Sequence, residues 1–208
     1  MTRTIRANRN GFTLVEVMIA IGIMTVGSLG ILSMHQAVSG ANRAAHEMNT
    51  AIAITERWVE RVERDSLLWS EQGINSSSLA STAYLSQLAG QGSGTDWFTP
   101  SPADTDESYA FDYFGRDTTS DIKYCVNLRM SWIRQGSSAR VDIRTFWFRE
   151  GYLSGNATHP KWVAGSDFRG AGCDAATATG WGLDQAPAPP NVNVVFASTV
   201  VTWLRREP

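Results

Sequence analysis

Residues 12–34 read FTLVEVMIAIGIMTVGSLGILSM, and Glu16 is the one ionisable side chain among them. A helix over this stretch would be about 34 Å long at roughly 1.5 Å per residue, which is enough to cross the hydrocarbon core of a bilayer. An apolar run of this length with a single charge is typical of a membrane-spanning helix. The sequence therefore predicts one such helix near the N-terminus.

Residues 1–11 contain no acidic residue and three basic ones, Arg3, Arg6 and Arg9. By the positive-inside tendency, this end stays in the cytoplasm and the chain after the helix lies outside. A cleaved secretory signal peptide and a plain membrane anchor are the ordinary interpretations. However, residues 28–39 offer no clear small-residue cleavage site, whereas Gly11 lies at the polar-to-apolar junction before the stretch. Cleavage after Gly11 would leave the whole apolar stretch on the mature protein.

Glu16 is an unusual residue for this position. A carboxylate in the apolar part of a membrane helix costs on the order of 2–3 kcal/mol, so it indicates a functional site. In a chain that begins at Phe12, Glu16 would lie four residues from the new α-amino group, on the same face of the helix and near the positive end of the helix dipole. That position lowers the cost of the charge and leaves the carboxylate able to pair with the amine of a neighbouring chain.

Residues 11–17, GFTLVEV, closely resemble the class III signal of type IV pilins and type II secretion pseudopilins. In that signal a short basic leader ends in Gly, Phe follows, and Glu is the fifth mature residue. The resemblance implies that prepilin peptidase cleaves between Gly11 and Phe12 and that Phe12 is N-methylated. It also implies that Glu16 pairs with the Phe12 amine of an adjacent subunit during assembly.

Residues 16–20 and 27–32, followed by Gln36, are further similar to the PilV type of minor pilin. Major pilins usually carry a proline about twenty residues into the mature helix, and this chain has none between Met1 and Trp97. The resemblance implies a single-pass protein of the bacterial inner membrane, in contact with lipid and with a periplasmic head, that later enters a type IV pilus. Its partners would be other minor pilins, the major pilin and the inner-membrane assembly platform. Its role would be to prime or join pilus assembly at a position near the tip, with a part in adhesion or motility.

Two other classes share this architecture. A minor pseudopilin of a type II secretion system fits the same N-terminal signal. A pilin for DNA uptake is disfavoured, because 18 Lys and Arg stand against 20 Asp and Glu and no basic cluster marks the head. An enzyme is the least favoured class, because no catalytic constellation is recognisable.

The helical pattern continues beyond the apolar stretch. Apolar residues keep a three-and-four spacing as far as Val62, while charged residues mostly take the other faces, among them Arg43, Glu47, Glu56, Glu60 and Arg64. We therefore expect one helix over about residues 12–68, with i,i+4 ion pairs from Glu60 to Arg64 and from Arg61 to Asp65. The expected organisation is a cleaved leader (1–11), a transmembrane half-helix (12–34), an amphipathic half-helix (35–69) and a globular head (70–208).

Alternating residues predict β-strands in the head. From Asp121 to Arg134, one face carries Tyr124 and its apolar neighbours and the other carries polar residues such as Lys123. After a turn, Ala139 to Arg149 returns as a second strand, giving a hairpin with one face on a core. Further strands are predicted at 108–114 and 191–204, a cap or turn at 75–78 and a short helix at 79–88. The predicted fold is α+β and pilin-like, with the long helix packed on an antiparallel sheet.

Residues 150–190 are rich in Gly, Pro, Ala and Thr, and a loop of this length needs a constraint in a compact domain. Cys125 and Cys173 are the only cysteines, and an extracytoplasmic compartment permits disulfides. A bridge between them would contribute about 4 kcal/mol in the chain-entropy model; two free cysteines are the alternative. In pilins, a C-terminal bridge often pins a variable loop to the sheet, and this placement is similar.

No cofactor, metal site, catalytic residue or small-molecule substrate is predicted. The three histidines are widely separated and no paired-cysteine motif is present, which disfavours zinc. Residues 104–107 are acidic but lack the spacing of a calcium loop, so a solvated loop is favoured. Residues 156–158 fit a glycosylation acceptor, a pattern too common to weigh much. Trp132 and Trp147 are expected in the core or on the sheet, whereas Trp162 and Trp181 either pack beneath the loop or form a recognition surface.

Overall fold

The structure, a computed structural model, describes residues 13–71, 79, 81–104, 107–148, 173–184 and 192–203. Its elements are, in chain order, helix α1 (Leu14–Glu71), a 3₁₀ turn (Leu85–Leu88), strands β1 (Ala110–Phe111), β2 (Tyr124–Arg134) and β3 (Ser138–Phe148), helix α2 (Ala175–Gly180) and strand β4 (Val192–Thr202). The strands form one antiparallel sheet in the order β1-β2-β3-β4. The α+β fold with a long N-terminal helix and an antiparallel sheet is confirmed.

Helix α1 ends at Glu71, three residues later than predicted, and Phe12 lies outside the described residues. Contacts divide the chain between His46 and Glu47 into two units. In the first unit the apolar side chains are exposed from Leu14 through Met34. By length and composition, this part of α1 is sufficient to cross a membrane. The apolar face of the first unit is therefore available to lipid or to other helices.

In the second unit, residues 47–71 of α1 cover one face of the sheet. The helix and the sheet share one hydrophobic core. Its buried residues include Ile54, Trp58, Val62, Leu128, Met130 and Ile143. Glu47 contacts Lys123 just before β2, and Trp69 packs edge-on against Trp132 near the end of β2. This part of α1 therefore runs along the sheet in the same direction as β2 and β4. The apolar residues at three-and-four spacing predicted the helix but only part of this face. Val62 is buried as expected, whereas Met48 and Ile52 are 45% and 38% exposed. The buried face is therefore offset from the predicted one, because Ala51, Ile54 and Trp58 carry it.

The opposite face of the hairpin is also covered, which the sequence did not predict. Cys125 and Asn127 are fully buried on that face. A second apolar cluster there contains Cys125, Phe146, Phe148, Cys173, Ala178 and Leu183. The predicted disulfide joins Cys125 to Cys173, with 5.2 Å between the Cα atoms. Helix α2 lies within the region predicted as loop, and Asp174 caps it by accepting the N–H of Thr177.

Three charges of α1 that the sequence placed on the surface are buried instead. Arg61, expected to pair with Asp65, pairs with Glu107 at 3.4 Å and Asp117 at 2.8 Å. The Asp65 carboxylate accepts the backbone N–H groups of residues 83–85, and so holds the start of the 3₁₀ turn. Glu47, expected on an outer face of α1, is only 4% exposed.

Glu47 forms a buried ion pair. Its Oε1 lies 2.9 Å from the Nζ of Lys123, which the alternation had placed on the solvent face, and its Oε2 accepts the indole N–H of Trp147. A buried charge is retained only where a partner of opposite charge and hydrogen bonds compensate its desolvation. The pair therefore links the middle of α1 to the sheet.

The remaining predicted elements are shorter than expected. The strand at 108–114 is reduced to β1, because Asp112 and Arg116 close a turn that carries Gly115 at φ 75°. Gly115 lies against Thr50 of α1, where an added Cβ would approach to 3.0 Å. Within the described part of 79–88, the 3₁₀ turn replaces the predicted short helix. The cap predicted at 75–78 lies outside the described residues.

Candidate functional site

The start of α1 is closed by a reciprocal set of hydrogen bonds between Thr13 and Glu16. The backbone N–H of Thr13 donates to Oε2 of Glu16 at 3.0 Å, and the Thr13 hydroxyl donates to the same oxygen at 3.1 Å. In return, the N–H of Glu16 donates to Oγ1 of Thr13 at 3.3 Å. This is a capping box, in which the N-cap residue and the third helical residue satisfy each other's free backbone donors. It gives the Glu16 carboxylate a fixed position at the helix end.

Only one oxygen of Glu16 takes part in the capping box. No described residue donates a hydrogen bond to Oε1, and the side chain is exposed. The carboxylate is therefore held by its own helix and still has an acceptor for a cation from outside. Among the predicted site residues, the structure describes Glu16, Cys125 and Cys173, whereas Gly11 and Phe12 lie outside the described residues.

Thr13 is a site residue that the sequence reasoning missed. Its signal is readable, because a threonine followed three positions later by glutamate at the start of an apolar run is the pattern of a capping box. The charge of Glu16 predicts a partner in another chain, the Phe12 amine, whereas the structure also shows a partner in the same chain, the Thr13 hydroxyl.

Comparison with known families identifies this segment. A family model described as the prokaryotic N-terminal methylation motif matches residues 6–32. Residues 6–32 therefore carry a prepilin-type methylation motif. No curated protein and no solved structure matches the chain.

The methylation motif supports a pilin or pseudopilin of the type IV pilus or type II secretion kind. Proteins with this signal are structural subunits, are processed by prepilin peptidase and assemble with other pilins. Together with the apolar first part of α1, the motif fits anchoring in the inner membrane followed by entry into a filament. The match lies entirely within the N-terminal segment and α1, so it carries no information about the sheet.

In the head, a buried arginine holds the disulfide-linked segment against the sheet. Arg144 of β3 is fully buried, and its guanidinium donates to the side chains of Asn127, Asp184 and Thr179 and to the carbonyl of Ala175. Burial lowers the pKa of Arg144, and the Asp184 carboxylate at 2.8 Å opposes that shift. The arrangement fixes residues 173–184 at a second point besides the disulfide.

A second charged cluster lies beside it on the same face of the sheet. The Asp142 carboxylate accepts hydrogen bonds from Arg129, from Arg140 and from the Ser198 hydroxyl. Burial by itself would raise the pKa of Asp142, but the hydrogen bonds from Ser198, Arg129 and Arg140 outweigh it and hold the pKa below its usual value. This carboxylate stays ionised in the folded head at pH values where the unfolded chain begins to take up protons.

The lowered pKa of Asp142 predicts a loss of stability in acid. A depressed carboxyl pKa contributes stability that is complete above the unfolded value of about 3.9 and disappears as pH falls through the lower folded value. We expect the free energy of unfolding to decline below about pH 4, and Asp142→Asn to make that decline shallower. Urea titrations of both proteins between pH 2 and pH 6 measure the slopes. Equal slopes would show that Asp142 does not carry the effect.

The other predicted candidates find structural roles where they are described. Within residues 104–107, Glu107 accepts the hydroxyl of Tyr84 and pairs with Arg61. Among the described residues, no group of three His, Cys, Asp or Glu side chains is placed to hold a metal. Trp147 is buried, and Trp181 packs on Phe146 and Phe148, which favours packing beneath the loop. Trp162, His159 and the acceptor at 156–158 lie outside the described residues.

Proposed function

We propose that this chain is a structural and assembly subunit, a minor pilin of the PilV type in a type IV pilus. The observation that carries the proposal is the methylation motif at residues 6–32, which precedes and overlaps an exposed apolar helix. The capped Glu16 supports it further, because its carboxylate is the one charge in residues 12–34 and no described residue donates a hydrogen bond to its Oε1. A minor rather than a major subunit is supported by the absence of proline between Met1 and Trp97.

Processing divides the chain into parts with different surroundings. Prepilin peptidase cleaves the chain between Gly11 and Phe12, which removes residues 1–11, and it N-methylates Phe12. Residues 12–34 span the inner membrane with the N-terminus cytoplasmic, residues 35–69 continue the helix in amphipathic form, and residues 70–208 make the periplasmic head. The three leader arginines favour this orientation.

Assembly moves the helix from lipid to protein. In the membrane pool, the side chains of residues 14–34 contact lipid tails; in the filament they contact neighbouring helices of the major pilin and other minor pilins. Lipid tails and neighbouring helices are similarly apolar, so the hydrophobic effect does not favour the filament over the membrane. Close packing between helices and electrostatic pairing therefore determine whether the helix moves into the filament. Glu16 pairs through Oε1 with the Phe12 amine of an adjacent subunit, which lowers the cost of its charge. The assembly platform in the inner membrane drives the extraction, and the head is displayed near the tip for adhesion or motility.

A test of processing separates this proposal from a plain membrane anchor. We expect the mature protein to begin at N-methylated Phe12, and Gly11→Ala to retain the eleven-residue leader, as measured by intact mass and N-terminal sequencing. Gly22→Ala is the matched control, because nothing lies within 4 Å of a Cβ at Gly22. A wild-type chain that keeps residues 1–11 in cells with active prepilin peptidase would contradict the proposal.

The filament that contains the chain distinguishes the two machines. We expect the protein in sheared type IV pili at a low ratio to the major pilin. Recovery with a type II secretion system instead would assign it as a minor pseudopilin, and salt-sensitive binding of double-stranded DNA to the purified chain would favour a role in DNA uptake.

A further inference from the structure

Strand β4 forms one edge of the sheet, and alternate residues of an antiparallel edge strand point their backbone groups away from the sheet. The N–H of Trp203 donates to the carbonyl of Ser137, which marks this position as a hydrogen-bonded pair. By alternation, odd-numbered residues of β4 bond to β3, and even-numbered residues direct their N–H and C=O groups outward. No described residue hydrogen-bonds to the outward groups of Phe196, Ser198, Val200 and Thr202.

The other edge of the sheet is treated differently. The edge of β2 is covered by the chain at 93–98, which exchanges backbone hydrogen bonds with Leu128, Met130 and Trp132, and by β1. Proteins normally protect exposed edges with charges, prolines, bulges or short strands. The sequence of β4, VNVVFASTVVT, has none of these, and its pairing with β3 runs without a register shift. An uncharged, β-branched edge of this kind is suited to pair with another strand.

The side chains beside the edge indicate what kind of strand fits. On the outer face of the sheet, Phe196 and Val200 are 52% and 55% exposed. On the face that α1 covers, the Thr199 hydroxyl donates to Glu63 of α1 at 3.1 Å, and Glu63 is exposed. A strand that pairs with residues 196–202 would place alternate side chains beside the two apolar residues and the others beside the carboxylate.

We propose that residues 196–202 of β4 are a docking edge for an extended strand of a different protein, with apolar residues on one face and basic residues on the other. The backbone hydrogen bonds supply affinity, and the apolar and acidic flanks supply specificity, as in recognition by strand addition. The docking edge lies in the head, outside the segment matched by the methylation motif, and adds a partner surface to a subunit otherwise described by its N-terminal helix.

A second copy of this chain fits the docking edge poorly. Two β4 strands that pair antiparallel are related by a two-fold axis perpendicular to the sheet. Because residues 47–71 of α1 run along the sheet, that axis reverses their direction, and the chain would enter the two heads from opposite ends. Two subunits anchored in one membrane enter from the same side; this step alone rests on the proposed function.

Amide hydrogen exchange on the full-length chain in detergent tests the docking edge residue by residue. In the free chain, we expect the amides of Phe196, Ser198 and Val200 to exchange at least tenfold faster than those of Ala197 and Thr199. The probe is the peptide acetyl-VKVKVKV-amide, which presents valines on one face and lysines on the other. Saturating peptide is expected to slow the even-numbered amides at least tenfold. Slow exchange of these amides in the free chain would overturn the proposal, since the chain itself would then occupy the edge.

A matched pair of variants tests whether the backbone carries the binding. Val200→Pro removes one outward N–H without touching the bonds to β3, and Val200→Thr keeps that N–H with a similar shape. We expect Val200→Pro to weaken peptide binding at least tenfold, Val200→Thr to bind like the wild type, and both to keep the wild-type near-UV circular dichroism. Equal binding by the two variants would contradict strand pairing.

The charge preference is tested by a swap. Acetyl-VEVEVEV-amide is expected to bind at least threefold more weakly than the lysine peptide, and Glu63→Lys to reverse that order. An unchanged order in Glu63→Lys would refute the predicted basic face of the partner. A concentration-dependent dimer that Val200→Pro abolishes would replace the proposed partner with a second copy. None of these measurements depends on cleavage at Gly11, so they can fail while the proposed function holds.

Discussion

Glu16→Ala is expected to leave leader cleavage intact and to reduce the amount of this subunit in sheared filaments at least tenfold. Without the carboxylate, the Phe12 amine of an adjacent subunit would enter the apolar helix bundle unpaired, and an uncompensated charge there costs several kcal/mol. Immunoblots of membrane and sheared fractions, normalised to the major pilin, measure the result. Wild-type amounts in the filaments of the mutant would contradict the proposed pairing.

The capping box makes it possible to separate the charge of Glu16 from its local role. Glu16→Gln keeps a side-chain oxygen for the Thr13 N–H but removes the charge, and glutamine is accepted at this position of a capping box. Thr13→Val removes the hydroxyl that caps Glu16 but keeps the carboxylate. If pairing between chains matters, Glu16→Gln fails to assemble and Thr13→Val assembles. If helix capping is the main role, the two outcomes are exchanged.

Local patterns were sufficient to predict the elements that bury one apolar face. The three-and-four spacing through Val62 predicted α1, and the alternation after Asp121 predicted β2 and its pairing with β3. In both cases neighbouring residues carry the whole signal, because the period of the pattern is the period of the element. The same holds for the methylation motif, whose residues are adjacent in sequence.

Buried polar residues were not predictable in this way. Arg61 and Asp65 fit an exposed ion pair by spacing, yet their partners are Glu107, Asp117 and the backbone at 83–85. The partners of Asp65 lie 18 to 20 residues further along the chain, and Asp117 lies 56 residues from Arg61. Neither set falls within the few residues over which a helical spacing pattern is recognised. A charged residue is predicted to be exposed unless its partner is known, because a charge is buried only where a partner compensates it.

The covered outer face of the hairpin has the same explanation. The sequence identified Cys125 and Cys173 as a possible bridge, but it gave no reason to expect Asn127 and Arg144 beneath the bridged segment. They are buried because α2 and the residues after it cover them, and these residues belong to a region whose composition is typical of a loop. The predicted disulfide indicated where this packing occurs, but the packed segment is longer than the sequence suggested.

Arg144→Met is expected to lower the free energy of unfolding of the head by about 3–5 kcal/mol, the usual cost of removing one partner from a buried charge network. Methionine fills much of the volume, but the Asn127 side chain and the Ala175 carbonyl lose their donor and Asp184 loses its counter-ion. Arg129→Met is the matched control, since Arg129 is 46% exposed and its pair with Asp142 is worth about 0–1 kcal/mol. Urea unfolding of the full-length chain in detergent measures both, and equal losses would contradict a special role for the buried site.

Arg144 and the disulfide hold the same segment, so their effects are expected to be non-additive. With Cys125–Cys173 intact, the segment at 173–184 remains tethered when Arg144 is replaced; with both cysteines replaced by alanine, Arg144 still holds it at α2. Only the combined variant removes both attachments, and residues in one network couple in this way. Chymotrypsin cleavage after Trp181, which packs on Phe148, is therefore expected to accelerate at least tenfold in the combined variant and much less in either single change. Equal acceleration in Arg144→Met alone would mean that the arginine, not the bridge, is the attachment that keeps this segment on the sheet.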